Sequence, residues 1–295
     1  MPRAARRSAK ELKATTTGLA LVDALSVNAT PTIEDYLSAV SEYVINVRTL
    51  PRGGPKQAQI ALGSGLGRVL ATELAAKVPR MNLYAGELQV AGALRPAQAD
   101  VSEAHPLDGL RLAVELKPVN LAVGRALWNR FGDIRAFAVN IHLKFPFAVV
   151  GGVLAIPTWE EAKITKTMAA ERSAAEAALR ESLADQIGDD ADESSDADED
   201  EDLREEEEAE ALQATGGELY HKSTEDLIKR LIQRLDRTRL RDTEADPPHL
   251  LEAVTVIIYD PDVPGLHPDL PAPNSRLRWG NFVSRMAEIY DARFD

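Results

Sequence analysis

Residues 147–156 have the sequence FAVVGGVLAI, in which both faces of a strand would be apolar. Such a strand is typical of a sheet that is covered on both sides, whereas a strand with one solvated face alternates between apolar and polar residues. Segments with strand alternation and segments with helical spacing of apolar residues precede and follow this run. The sequence therefore predicts an α/β fold with a central sheet flanked by helices.

Composition excludes several classes of site and of protein. The chain of 295 residues is 44% hydrophobic, which is enough for a large core, and it has no cysteine. Disulfides, thiolate metal sites, cysteine nucleophiles and iron–sulfur clusters are therefore excluded. No apolar run approaches the length of a membrane span, and no apolar segment follows the basic N-terminal residues as in a secretory signal. We expect a soluble, cytoplasmic protein without a membrane partner.

The net charge of −13 arises from one acidic tract, residues 185–210, which holds 16 acidic residues and a single Arg. The rest of the chain has a net charge of about +2, which is compatible with an anionic binding partner. A tract with so much charge and so few apolar side chains is typically a disordered, solvated insert. An alternative is that it mimics DNA or shields a basic cleft.

Periodicity and breaker residues divide the chain into elements and regions. Thr32 and Asp35 form the capping box of a first helix, and a second helix is predicted over 64–78. The remaining predicted elements are strands 83–90, 97–103 and 110–117, a helix over 120–141 broken near Gly132, strand 147–156, a long helix over 159–184, a helix from Ser223, strand 253–259 and a C-terminal helix from Asn281. The predicted regions are a basic mobile arm (1–17), a core (18–184, with its motif region at 60–156), an acidic disordered insert (185–215) and a C-terminal part (216–295) that completes the same domain.

The candidate chemistry lies in two strands joined by a turn. Because side chains alternate along a strand, Glu115 and Lys117 share one face, while Leu110, Leu112, Val114 and Leu116 share the other. On the preceding strand Gln98, Asp100 and Ser102 share a face, opposite Ala99 and Val101, and a hairpin would bring Asp100 close to Glu115. Two carboxylates beside a lysine suit a hard cation such as Mg²⁺. The alternative is a hairpin with an ordinary surface ion pair.

This order of elements and residues resembles the PD-(D/E)XK nuclease superfamily. That family has a helix, three antiparallel strands, a crossover helix and a further strand, with an Asp on the second strand and a (Asp/Glu)-x-Lys on the third. The resemblance therefore implies a restriction-endonuclease-like core with a mixed central sheet and helical additions. Asp100, Glu115 and Lys117 match these positions, and the resemblance covers about 60–156, a third of the chain. The residue before Asp100 is Ala99 where the family usually has Pro.

Other charged residues are candidates for the same site. Many family members have a Glu on the helix before the strands, and Glu73 follows a Gly/Arg-rich segment and falls within the apolar arc of its helix. A carboxylate there needs a metal or a partner, and Lys77 in the same arc is the alternative partner. Glu87 is a reserve candidate. Candidate DNA phosphate contacts, which are otherwise solvated charges, are Arg68, Arg125, Arg130, Arg135 and Lys144.

The resemblance implies a type II restriction endonuclease that cuts double-stranded DNA at a specific sequence. It would use Mg²⁺ held by Asp100 and Glu115, with Glu73 as a further ligand, and Lys117 would assist the attacking water. Such enzymes act as homodimers on palindromic sites and are paired with a DNA methyltransferase for the same site. Two alternatives stay open: a structure-specific repair or recombination nuclease, and a non-catalytic interaction protein in which the acidic tract is the binding element.

Overall fold

The computed structural model describes residues 17–163 and 219–295. The basic arm, apart from Thr17, most of the predicted long helix and the acidic insert lie outside the described residues. The helices are α1 (Ala20–Val27), α2 (Ile33–Asn46), α3 (Gly54–Lys77), α4 (Val123–His142), α5 (Glu225–Arg237) and α6 (Trp279–Phe294), with a 3₁₀ turn at Val47–Thr49. The strands are β1 (Tyr84–Val90), β2 (Ala97–His105), β3 (Gly109–Pro118), β4 (Val149–Pro157), β5 (Trp159–Lys163), β6 (Leu219–Ser223) and β7 (Ala253–Tyr259).

A mixed five-stranded sheet with the order β1-β2-β3-β4-β7 forms the centre of the fold. β1, β2 and β3 are antiparallel neighbours, whereas β3, β4 and β7 run parallel. Short loops suffice between antiparallel strands, but the parallel step from β3 to β4 needs a crossover, which α4 provides. The α/β class and the mixed, helix-flanked sheet are confirmed.

Each face of the sheet has its own apolar core. Helices α1, α2, α3 and α6 pack on one face, and α4 and α5 pack on the other. Adjacent glycines in β4 let helices approach on both sides. A Cβ on Gly151 would lie 3.0 Å from Met286 and Phe282 of α6, and a Cβ on Gly152 would lie 2.4 Å from Ile134 of α4. The strand predicted at 147–156 is observed as Val149–Pro157, and its close helix packing explains why it has glycines at its centre yet is buried throughout.

Several element predictions are confirmed, and others are wrong for identifiable reasons. The capping box at Thr32 is present, and the strand at 253–259 has the predicted bounds. α3 begins ten residues earlier than predicted, because Pro55 occupies its first turn, where the missing N–H costs no hydrogen bond. α4 continues through Gly132 without a break. Residues 159–163 form a strand, not the start of a helix.

Two irregularities change which side chains face which side of the sheet. Leu112 pairs with Glu103 and Leu110 pairs with Ala104, so Arg111 is an extra residue in β3. Leu110 therefore packs in the α4-side core, separate from Leu112, contrary to the predicted alternation. Near Asp100, Val101 packs on the α3 side and Ala99 on the α4 side, although residues two apart in a regular strand share a face. The strand β2 thus changes face at Asp100.

Contacts divide the chain into two compact units. The first contains the central sheet and its helices (described over 17–160 and 223–295), and the second is described only over 161–163 and 219–222, which belong to β5 and β6 of a two-stranded sheet. Among the described residues, no helix has the length and apolarity needed to cross a membrane.

Candidate active site

The structure brings Asp100, Glu115 and Lys117 together where β2 and β3 separate. The β2–β3 pairing ends at Val101 and Val114, and beyond it the Asp100 Oδ2 accepts a hydrogen bond of 2.7 Å from the backbone N–H of Leu116. A side chain thus replaces the carbonyl that a regular ladder would supply. Lys117, two residues after Glu115 on the same strand, forms an ion pair with the Glu115 Oε1.

Glu115 lies in an environment that disfavours its charged form. Its side chain is 10% exposed, and its Oε2 is buried without a hydrogen-bond partner in the described structure. Burial raises the pKa of Glu115 to about 7, against the lowering effect of Lys117, and Asp100 and Asp133 raise the pKa further. Glu115 therefore has one oxygen without a hydrogen-bond partner, and its ionised form is disfavoured. A bound cation would coordinate that oxygen and stabilise the ionised form.

Two further carboxylates contribute to the electrostatics of this site. Burial raises the pKa of Asp100, the Leu116 N–H and Lys117 lower it, and Glu87 raises it. Glu87 lies in β1 beside a bulge at Gly86, whose φ of 145° is accessible mainly to glycine. Asp133, on α4, was not predicted, because its proximity to Glu115 depends on how the crossover helix packs on the sheet, which the sequence pattern does not specify.

The donor set fits a hard divalent cation. Carboxylate oxygens are the ligands that Mg²⁺ prefers, and this ion is usually held by one or two carboxylates plus waters and substrate phosphates. Asp100 and Glu115 supply two such groups, and the partnerless Oε2 of Glu115 supplies an available oxygen. In the described ranges no three Asp, Glu, His or Cys residues are grouped as a complete metal cage. Asp100 and Glu115 could therefore supply two carboxylate ligands to a Mg²⁺ ion.

Glu73 is engaged away from this cluster. Both of its carboxylate oxygens lie 2.9 Å from the indole Nε1 of Trp279, at the start of α6. Burial raises the pKa of Glu73, and Glu34 raises it as well, while Trp279 and Lys77 lower it. The expectation that a carboxylate in the apolar arc needs a partner is met by Trp279. The structure does not bring Glu73 to Asp100 and Glu115.

The five basic candidates are in different settings. Arg68 donates to the carbonyls of Leu25 and Asn28 and to the Ser64 hydroxyl, so it joins α3 to the end of α1 instead of facing a ligand. Arg130 pairs with Asp133 at 3.3 Å, on the flank of α4 near Glu115.

The other basic candidates lie further along the same region of chain. Lys144 lies before β4, at the end of the parallel strands away from Lys117. Arg125 and Arg135 are on α4 without ion pairs in the described part of the chain.

Comparison with known proteins does not identify a relative. A scan against family models, a search of curated proteins and a search of solved structures each found no match. The functional interpretation therefore depends on the geometry and chemistry of the site.

The pKa of Glu115 makes a prediction about stability in metal-free protein. Its carboxyl has a pKa of about 7 when folded and an ordinary value of 4.5. Between these values the unfolded chain loses the proton first, so ionisation favours unfolding, and the full penalty is present above pH 7. We expect Glu115→Gln to be more stable than wild type by about 1–3 kcal/mol at pH 8.5, with the difference shrinking toward pH 5.

Urea unfolding in EDTA at both pH values, followed by tryptophan fluorescence, measures this difference. Glu225→Gln is the matched control, because Glu225 is in an ion pair with Lys229 and its pKa is lowered, first by that hydrogen bond. We expect no stabilisation from the control at pH 8.5. A stability difference between Glu115→Gln and wild type that is the same at both pH values would contradict the assignment.

Proposed function

We propose that this protein is a Mg²⁺-dependent endonuclease of the PD-(D/E)XK superfamily that hydrolyses double-stranded DNA, most like a type II restriction enzyme. The observation that carries the proposal is the cluster of Asp100, Glu115 and Lys117, in which Glu115 is nine-tenths buried with one unpartnered oxygen. Burying a carboxylate without satisfying it costs free energy, so such a group is retained where it serves a function.

The order of elements supports the same proposal. A long helix (α3), three antiparallel strands, a crossover helix (α4) and a parallel strand (β4) follow one another, as the resemblance implies for the nuclease core. Asp100 is on the second of the three strands and the Glu-x-Lys on the third. The face change at Asp100 gives a reason for its position, because it allows the Asp100 carboxylate to reach the backbone of β3.

Each residue of the cluster has a role that its setting allows. Asp100 and Glu115 would hold Mg²⁺, which, when bound, lowers the pKa of a water and offsets the charge that develops on the phosphate. Lys117 has 24% of its side chain exposed, so its ammonium group can hydrogen-bond the attacking water or a phosphate oxygen. The burial of Glu115 limits its contact with bulk water and strengthens these interactions. Glu87 is exposed on β1 and raises the pKa of Asp100, so it adds negative potential that attracts a cation.

A digest of long phage DNA by the purified full chain tests the proposal. We expect cleavage in Mg²⁺ that EDTA abolishes, and discrete fragments if the enzyme is sequence-specific. A smear, or cutting of branched substrates only, would favour a repair or recombination nuclease. DNA that stays intact in both Mg²⁺ and Mn²⁺ would overturn the proposal and favour the non-catalytic interaction protein. A restriction enzyme would also be a homodimer and would be blocked by a methyltransferase specific for its site.

A further inference from the structure

A cluster of arginines lies along the seam between α4 and α5, apart from the candidate active site. The two helices approach each other at two points. A Cβ on Gly124 would lie 3.6 Å from Leu227, and the Arg234 guanidinium lies 5.1 Å from the centre of the Trp128 ring. We use the term arginine seam for five residues on these helices: Arg125 and Arg135 of α4, and Arg230, Arg234 and Arg237 of α5.

The arginines of the seam form no ion pairs within the described ranges, whereas several other surface arginines do. Elsewhere Arg80 pairs with Asp291, Arg239 pairs with Asp246, and Arg285 pairs with Asp242. In residues 17–163 and 219–295, by contrast, none of the five seam arginines forms an ion pair, although Asp226 lies one turn before Arg230. The α5 carboxylate that does pair, Glu225, binds Lys229 and not an arginine. The seam therefore concentrates five positive charges in a described structure whose total net charge, with the seam included, is close to zero.

The spacing on α5 matches a phosphodiester backbone. Arg230, Arg234 and Arg237 are four and three residues apart, so they form one stripe on the helix, and all three are exposed. Seven residues of helix rise about 10 Å, which corresponds to about three phosphates of one DNA strand. Trp128 stacks on Arg234 and holds its guanidinium in place, which lowers the entropy lost when it binds an anion. Arginine is also the side chain whose planar donors best match phosphate oxygens.

We propose that the arginine seam is a binding surface for the phosphate backbone of duplex DNA. It lies on the same side of the sheet as Glu115, because α4 covers that face. Both helices begin near the ends of the parallel strands: α4 follows β3, and the hydroxyl of Thr224, which precedes α5, bonds the Pro157 carbonyl at the end of β4. This proposal depends on the positive charge of the seam, and it does not depend on whether the protein cleaves DNA.

The test compares two double variants that remove the same charge. Arg230→Gln/Arg237→Gln removes two seam arginines, and Arg80→Gln/Arg239→Gln removes two ion-paired ones. Binding of a fluorescent 20-base-pair duplex is followed by anisotropy in EDTA over a range of KCl concentrations (about 50–200 mM). We expect the seam variant to bind at least about tenfold more weakly at the lowest salt, with the slope of log affinity against log salt smaller by about 2.

The outcomes separate this proposal from the nuclease proposal. Unchanged affinity and slope in the seam variant, or an equal loss in the paired-arginine control, would overturn the binding surface even if the wild type cuts DNA. If the wild type binds DNA but does not cleave it, the nuclease proposal is wrong, whereas the proposal that the seam binds DNA is still supported. Arg230→Lys/Arg237→Lys keeps the charge, so it should retain most of the affinity. A seam variant that loses binding to a single strand but not to the duplex would also overturn the proposal.

Discussion

Asp100→Asn and Glu115→Gln are each expected to lower the rate of Mg²⁺-dependent DNA cleavage by about a thousandfold or more, while duplex affinity in EDTA stays within a few fold of wild type. A thousandfold loss corresponds to about 4 kcal/mol of transition-state stabilisation, a reasonable cost for removing one of two carboxylate ligands. Binding persists because a carboxylate repels phosphate in the absence of a metal, so that removing it does not weaken the complex. Single-turnover cleavage of a labelled duplex, with anisotropy in EDTA beside it, measures both quantities.

Glu73→Gln is the matched control for these variants. It also replaces a partly buried carboxylate by an amide, but the amide oxygen can still accept the hydrogen bond from Trp279. We expect the cleavage rate of Glu73→Gln to stay within a few fold of wild type. If Glu115→Gln cleaves DNA at the wild-type rate, the cluster is not the active site. A thousandfold loss of the cleavage rate in Glu73→Gln would show that Glu73 belongs to the active site.

The parts of the site that the sequence predicts are those fixed by short stretches of chain. Glu115 and Lys117 share a face because a strand alternates, and Asp100 comes near them because a tight turn at 106–109 joins their strands. The face change at Asp100 was not predicted, because strand alternation assumes a regular strand, whereas the pairing with β1 is irregular opposite Asp100. Strand alternation in β2 predicts that Ala99 and Val101 pack on the same face of the sheet, whereas they pack on opposite faces.

Contacts between distant parts of the chain account for the other differences. The partner of Glu73 is Trp279, 206 residues away, and no periodicity in α3 specifies it. Asp133 reaches Glu115 only through the packing of α4 on the sheet. The arginines of α4 are spread around their own helix, and they form one surface only together with the arginines of α5. Local patterns thus give the class of fold and the core of the site, whereas the surroundings of each charge depend on tertiary packing.

The largest effect on stability is expected from Glu252, which is fully buried beside the first residue of β7. Its Oε2 accepts hydrogen bonds from the His142 ring (3.1 Å) and the Val150 N–H (2.9 Å), and its Oε1 accepts from Arg241 (2.9 Å) and Arg293 (2.8 Å). One carboxylate thereby joins the ends of α4 and α6 to β4 and to the segment before β7. Glu252→Ala leaves Arg241, which is 1% exposed, as a buried charge without its carboxylate. We expect the free energy of unfolding to fall by about 3–5 kcal/mol.

Urea unfolding at neutral and acidic pH distinguishes the loss of this network from a simple loss of packing. Burial alone would raise the pKa of Glu252, but His142, Arg293 and the Val150 N–H together lower it. A lowered pKa in the folded state means that the stabilisation is present above the ordinary value of 4.5 and is lost as the pH falls through the folded value. The difference between wild type and Glu252→Ala should therefore shrink in acid, whereas a packing defect would persist at every pH. Glu252 bonds to none of Asp100, Glu115 and Lys117, so the cleavage rate per folded molecule should be unchanged. A Glu252→Ala protein as stable as wild type at neutral pH would show that its two arginines find other partners.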